Sequence, residues 1–448
     1  MKYNTISGFP ELTPTEQVIF NDILNTIKRV YEQFGFINIE TPAIERKSLL
    51  LAKGGDEKEM YVLSKPYTQK RGEVETDLAL HFDLTVPLAR YATSHMENLN
   101  FPFRRYQIQK VWRGERSQAG RYREFYQCDA DILGNNSLNL TADVEILTAV
   151  AHVFNKLNVG EFIIKINHRL ILNEIIKYFG TTENNIPEVF RILDKIDKVG
   201  IDKTKEDLIK IDKQNIKIDE LISFITTDFS VDKMIETLKK MSLNNTSLKS
   251  GLSELEYVIK NLKSSGISEK NFKIDLKIVR GLDYYTGIIF ETILSNHTEL
   301  GSVCSGGRYD NLTKLFSQKK LPGVGMSIGL TRLFLPLLKK GVWKKKKLVC
   351  SNILIIPLTK QADTISFEIA SAIRNEDNKV EIYAGNKTLK KSLKYAHKQE
   401  INTVVIIGED EIKAGTIKIK DMKTSKEVDV KVSVLKNTNY KLSTIFDE

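Results

Sequence analysis

The sequence predicts an α+β protein: a domain built on an antiparallel sheet, interrupted by a helical insertion and followed by a smaller α/β domain. Three stretches carry this expectation. Residues 103–134 alternate like a long hairpin, residues 170–265 have helical spacing with almost no strand signal, and residues from 353 onward alternate strand and helix. The spans that follow are 1–169 with 266–340 for the sheet domain, 170–265 for the insertion and 341–448 for the last domain. At roughly 150 residues per domain, a chain of 448 residues suits two to four.

With 41% hydrophobic and 28% charged residues the composition is globular rather than disordered. No apolar run reaches the ~18 residues of a membrane span. The start, MKYNTISGFPEL, lacks the basic-then-apolar order of a signal peptide, so a cytoplasmic protein is expected. A net charge of +10 and a pI of about 9.1 favour a polyanionic partner, nucleic acid first, although lysine-rich surfaces also serve solubility. Cys128, Cys304 and Cys350 are odd in number and share no close spacing. They indicate core packing, not a disulfide framework or a zinc site.

The first element is a helix. Thr13 is its N-cap, Pro14 its first residue and Glu16 the capping-box partner; Ile19, Ile23, Ile27, Val30, Tyr31 and Phe34 form its apolar stripe and Gly35 ends it. A strand, 36–40, runs into Pro42, which stops ladder pairing. This unit suits an edge where two subunits meet, and equally a plain surface helix. Residues 53–77 are glycine- and charge-rich and read as a loop before a strand at 80–84. Asp83 and Thr85, ahead of Pro87, put a carboxylate and a hydroxyl at that strand's end, where Asp83 is also placed to cap a helix over 86–94.

The hairpin has arms at 106–115 and 124–133 around a polar connector carrying Gly120. Even positions, Tyr106, Ile108, Trp112, Tyr126, Cys128, Ala130 and Ile132, make one apolar face, with Lys110 the exception. The odd face carries Gln107, Gln109, Arg113, Glu115, Gln127, Asp129 and Asp131. So polar a face must meet water or a ligand. Arg113, Arg116, Arg121 and Arg123 near the tip suit a polyanion, because guanidinium forks bind phosphate bidentately; a solvated charge cluster has the same pattern.

A helix over 141–157 and a strand over 162–167 precede the insertion, whose helices show apolar spacing at Ile192, Ile196 and Val199 and at Leu252, Leu255, Val258 and Leu262. Strand signals resume at Phe272 and lead through Arg280, Tyr284 and Tyr285 to a strand over 288–294. The glycines of residues 301–310 read as a turn before a helix from Asn311. Residues 323–333 read as a strand passing into a helix that carries Arg332 in its first turns. No Walker loop or Rossmann fingerprint occurs. Lys344 to Lys347 mark a linker, after which strands at 353–357, 380–383 and 404–407 alternate with helices at 360–374 and 389–399, and strands at 415–419 and 427–430 close the domain.

Several of these segments recur in one order in a known family. The chain resembles the histidyl-tRNA synthetases, which are class II aminoacyl-tRNA synthetases. The first helix, strand and Pro42 resemble the class dimerisation motif, VWRGERSQAGRYREFYQCDADILG the ATP-binding motif and GVGMSIGLTRL the third class motif. RGLDYYTG and CSGGRYDNL resemble the histidine-specific signatures. The resemblance runs nearly end to end. It implies a class II catalytic sheet, a C-terminal anticodon-binding domain, a homodimer, and the substrates L-histidine, ATP and tRNA(His), with Mg²⁺ bound through ATP and no metal held by the protein.

Carried across residue by residue, the resemblance implies that Arg280 and Arg113 act in catalysis at the α-phosphate. ATP would be held by Arg113, Glu115, Arg121 and Arg332. Histidine would be held by Asp83, Thr85, Arg113, Gln127, Asp131, Arg280, Tyr284 and Tyr285. Within that set Asp131 accepts and Tyr285 donates at the two imidazole nitrogens, while Asp83, Thr85 and Gln127 hold the α-ammonium. Gln118 would meet the tRNA acceptor end, in a loop, GERSQAG, that departs from the family pattern; FDLTVP has Asp83 where some relatives have glutamate. The alternative is a synthetase-like regulatory subunit that senses histidine without catalysis. Such paralogues tend to lack the RGLDYYTG arginine and the anticodon domain, and this chain has both.

Overall fold

The computed structural model describes residues 4–51, 59–64, 77–116, 120–211, 216–279, 285–311, 319–343, 351–374, 378–386 and 388–435. Two compact units emerge, Met1–Glu11 with Phe20–Lys344, and Leu12–Ile19 with Lys345–Glu448. Among the described residues no helix is long and apolar enough to cross a membrane.

The first unit is organised on a sheet of eight strands among the described residues. In sequence order they are β1 (Ile37–Asn38), β4 (Phe103–Trp112), β5 (Glu124–Leu133), β6 (Phe162–His168), β7 (Phe272–Ile274), β8 (Ile288–Leu294), β9 (Cys304–Tyr309) and β10 (Gly323–Gly329). Across the sheet the order is β1-β4-β5-β10-β9-β8-β6-β7. The two outermost pairs are parallel and every inner pair is antiparallel. A separate antiparallel pair joins β2 (Ile44–Arg46) to β3 (Leu78–Leu80).

Period-2 alternation sorts the sheet into two faces. The even face of the hairpin is covered by α1 (Pro14–Gln33), α3 (Thr141–Leu157) and α6 (Leu330–Lys339). The Tyr31 hydroxyl donates to the Cys128 carbonyl at 2.9 Å, and the Phe20 ring lies 5.2 Å from Tyr126 and 5.1 Å from Phe334. Each such buried side chain contributes roughly 1.5–3 kcal/mol, so truncating Phe334 would loosen the contact between α6 and α1. Lys110, the polar exception on this face, is paired with Glu124 at 2.6 Å, and Glu124 also accepts from Trp112 Nε1 at 2.9 Å. The odd face is left for the site.

Most expected elements form within a residue or two. The Thr13 backbone N–H and its hydroxyl both donate to Glu16 Oε2 at 2.8 Å, fixing the start of α1. Four expectations about strands need correction. The first hairpin arm, expected at 106–115, lies three residues earlier, at Phe103–Trp112. The strand expected at 36–40 shortens to Ile37–Asn38, and the one at 80–84 lies at Leu78–Leu80, because Leu84 already precedes α2 (Thr85–Ser94). The glycine-rich residues 304–309 form β9, an inner strand and not a turn. Glycine is required there by crowding: a Cβ at Gly306 would meet the Gly325 carbonyl oxygen at 2.0 Å and Phe290 Cζ at 2.6 Å.

Among its described residues the insertion contains helices and no strand, from α4 (Arg169–Tyr178) to α5 (Thr246–Ser264). Leu252, Leu255, Val258 and Leu262 are buried on α5, which packs against α4, α3 and β6. Val199, expected inside, is exposed.

The second unit holds a five-stranded sheet, order β12-β11-β13-β14-β15, made of β11 (Ile353–Pro357), β12 (Val380–Ile382), β13 (Thr403–Ile407), β14 (Thr416–Asp421) and β15 (Glu427–Lys431). Its central strands are apolar on both faces. Ile353, Ile355, Val405 and Ile407 pack with Ile369 and Ile373 of α7 (Gln361–Ile373); Leu354, Ile356, Val404 and Ile406 pack on the other side with Ala396 of α8 (Leu389–Lys398).

Candidate active site

The odd face of β5 opens into a cavity of about 580 Å³ in the first unit, within the range of small-molecule sites. Asp83, Thr85, Arg113, Glu115, Arg121, Gln127, Asp131, Tyr285 and Arg332, named from widely separated stretches of the sequence, all line it. Arg280, Tyr284 and Gln118 lie outside the described residues.

Strand register explains the convergence on the cavity floor. Gln127, Asp129 and Asp131 on β5 stand opposite Gly329, Ser327 and Gly325 on β10. On β9, Gly307 stands opposite Gly325 in turn. Two adjacent strands thus present bare backbone where a side chain would otherwise rise. A Cβ at Gly325 would lie 1.9 Å from Asp131 Oδ1, and one at Gly307 would lie 2.9 Å from Tyr285 Cδ1. The missing side chains make room for Asp131 and Tyr285.

Asp131 is held from two sides. The Tyr309 hydroxyl donates to its Oδ1 at 2.6 Å, and Arg105, wholly buried, reaches its Oδ2 at 2.7 Å. Inside the protein such a pair survives only because both partners are present; removing one strands a buried charge. Asp129, on the same face, is 2% exposed and its carboxyl is pushed up to about 7. Burial is the main cause; Asp131 and Asp83 add to it, against Arg105 and the Ser327 hydroxyl. Sequence reading gave Arg105, Tyr309 and Ser327 no role, although period 2 puts Arg105 on the polar face and Tyr309 belongs to the CSGGRYDNL signature.

Basic groups also line the cavity. Arg113 is fixed by donation from Nε to the Phe82 carbonyl at 3.0 Å, with its guanidinium 5.1 Å from the Phe125 ring centroid. Arg121 pairs with Glu115 at 3.3 Å, and Arg332 Nε donates to the Leu300 carbonyl at 2.9 Å. Asp83 does cap the following helix, its Oδ1 accepting from the Val86 backbone N–H at 3.1 Å, and it lines the cavity as well. The arginine of β9, Arg308, points away and pairs with buried Asp143, tying the strand to α3.

Along β5 the cavity lining therefore runs from carboxylate and amide groups, Asp131, Asp129 and Gln127, toward the hairpin tip, where Arg113 and Arg121 stand with Glu115. That division suits a ligand with a cationic amino end and a phosphate end. Residues 8–333 match the family model for histidyl-tRNA synthetase, and residues 352–438 match the model for an anticodon binding domain. The chain belongs to the histidyl-tRNA synthetase family. It is 44% identical to a histidine–tRNA ligase of Clostridium tetani over 98% of this chain and 99% of that relative, and 42% identical to one of Finegoldia magna over 95% and 96%. A solved histidyl-tRNA synthetase from Nostoc sp. PCC 7120 superposes with a TM-score of 0.81 at 36% identity, covering 98% of this chain and 99% of that one. The histidyl-tRNA synthetase of S. aureus shares the fold at a TM-score of 0.68 and 20% identity.

Proposed function

We propose that the chain is a histidine–tRNA ligase that first joins L-histidine to AMP, using ATP and releasing pyrophosphate, and then passes the histidyl group to the 3′ end of tRNA(His). The observation that carries this reading is the two-ended cavity in a chain of this family. The histidine carboxylate attacks the α-phosphorus as the bond to pyrophosphate breaks, so negative charge gathers where the two ends meet. Arg113, which lines the cavity, is assigned to that junction, and Arg280 is assigned the same charge by its position in RGLDYYTG. Guanidinium groups fixed before reaction stabilise such charge with little reorganisation. Arg121 and Arg332 are assigned to the outer phosphates and purine, and Glu115 to the adenine amino group. The donor set fits ATP: arginines with a neighbouring aromatic face, Phe125, beside a carboxylate. Magnesium would ride on the ATP phosphate oxygens and neutralise part of their charge.

At the other end Asp131 and Tyr285 are assigned to the imidazole, with Asp83, Thr85 and Gln127 on the α-ammonium, while Gln118 and Tyr284 keep the roles their motifs imply. A pocket of buried polar groups rejects amino acids that leave them unpaired, by ~10⁴-fold or more. The C-terminal unit is assigned to the anticodon. We also propose a cytoplasmic homodimer; exposed Ile37 on edge strand β1 and exposed Ile44 support self-association there. ATP–pyrophosphate exchange measured with each amino acid tests the reading: histidine alone should drive it, and Arg280→Ala should abolish most of it without unfolding the chain. Histidine binding with no exchange would point instead to a regulatory subunit.

A further inference from the structure

Two buried acceptors on the cavity floor have no donor among the described residues. Gln127 Oε1 and Asp129 Oδ1 each make no hydrogen bond among the described residues, and both residues line the cavity. They are 7% and 2% exposed, so bulk water does not relieve them. A buried polar atom left unpaired is costly, because it has given up water and gained no partner. Two such atoms side by side, at the floor of a ligand cavity, mark a place where the ligand brings the donors.

Their orientation is set by one hydroxyl. Gln127 Nε2 donates to Ser327 Oγ at 2.6 Å. Ser327 stands opposite Asp129 in the register, and its hydroxyl favours the ionised carboxylate. Ser327 thus engages the nitrogen side of the glutamine from a position facing the aspartate, and Gln127 Oε1 and Asp129 Oδ1 stay unmet among the described residues. Side chains two residues apart on one strand face start about 7 Å apart, and the longer glutamine arm narrows the gap between those oxygens. The Asp83 carboxylate is near enough to act on Asp129. Asp131, by contrast, already has both oxygens engaged, by Tyr309 and Arg105.

We propose that Asp129 is a further substrate-binding residue, which receives the α-ammonium of histidine together with Gln127 Oε1 and Asp83, and that Ser327 is the positioning residue that turns both acceptors toward it. This rests on the histidine-binding reading of the cavity. An ammonium presents three N–H donors and a full positive charge. It meets three acceptors, two of them carboxylates, whereas a neutral imidazole has a single N–H to offer.

The test separates the two ends of the substrate. Histidinol keeps the α-ammonium and lacks the carboxylate; 3-(imidazol-4-yl)propionate keeps the ring and lacks the ammonium. Calorimetric titration of each onto the full chain needs no turnover, so its outcome is independent of whether exchange is seen. Asp129→Asn should weaken histidinol at least ~10-fold, the worth of one charge-assisted hydrogen bond. It should leave the propionate within about twofold, the scatter expected when a substitution and a ligand group share no contact. Ser327→Ala should shift histidinol in the same sense by a smaller factor, and it carries the test should the first variant not fold. Equal weakening of both compounds, no change in either, or wild-type protein that fails to bind histidinol would each overturn the proposal.

Discussion

Gly325 and Asp131 occupy one space: a Cβ on the glycine would lie 1.9 Å from the Asp131 Oδ1 atom that accepts from Tyr309. The close fit makes the glycine part of the proposed histidine pocket although it offers no functional group. Gly325→Ala should push the carboxylate off Tyr309 and Arg105. The expected result is a histidine KM raised about 10-fold or more, equivalent to ~1.4 kcal/mol, with the ATP KM nearly unchanged. Exchange kinetics read both constants, and an unaltered histidine KM would show that Asp131 is not a histidine contact.

Arg105 has the opposite character, a full charge with no exposure. Arg105→Met should destabilise the protein by about 3–5 kcal/mol, because it leaves the Asp131 carboxylate buried without its cation. Adding Asp131→Asn should recover part of the loss, so the double variant is less destabilised than the sum of the singles. Urea unfolding of the four proteins measures the coupling, and simple additivity would count against the pair.

Asp129 makes stability depend on pH in a particular direction. Its carboxyl is held up at about 7, chiefly by burial, so between the ordinary carboxylate range and that value the folded state binds the extra proton. The contribution is fully present at acid pH and is lost as pH rises through about 7. Asp129→Asn cannot ionise. Relative to wild type its melting temperature should therefore improve as the pH is raised from the acid side of that value to the alkaline side. A constant difference across that range would show that Asp129 does not titrate there.

The guanidinium end should answer to ATP. Arg113→Ala and Arg332→Ala each remove a charge-assisted contact worth ~1.5–3 kcal/mol, so about a 10–100-fold loss in kcat/KM for ATP is expected from each. Competitive binding of histidinol should be far less affected by Arg332→Ala. Exchange rates at varied ATP provide the check, and a loss confined to histidine would reassign these arginines.

Glycine-rich β9 shows where local reading stops. A run of serine and glycine between loops reads as a turn, since glycine is what turns require. Here Gly306 and Gly307 are small because β10, Phe290 and Tyr285 press on them. That pressure comes from elsewhere in the chain and leaves no trace in the run's own periodicity. Val199 is the converse case, an apolar residue at helical spacing that is left exposed.

By itself the sequence determined what repeats over short range: the span of α3 and of β8 and β11, the capped start of α1, and the split of the hairpin into an apolar and a polar face. These follow from side-chain period and capping chemistry, which act within a few residues. Only the tertiary structure decided which partners the polar face would have. Tyr309 lies 178 residues from Asp131 and Ser327 lies 200 from Gln127. Their meeting depends on how β5, β10 and β9 register side by side, and register between distant strands is settled by packing of the whole sheet.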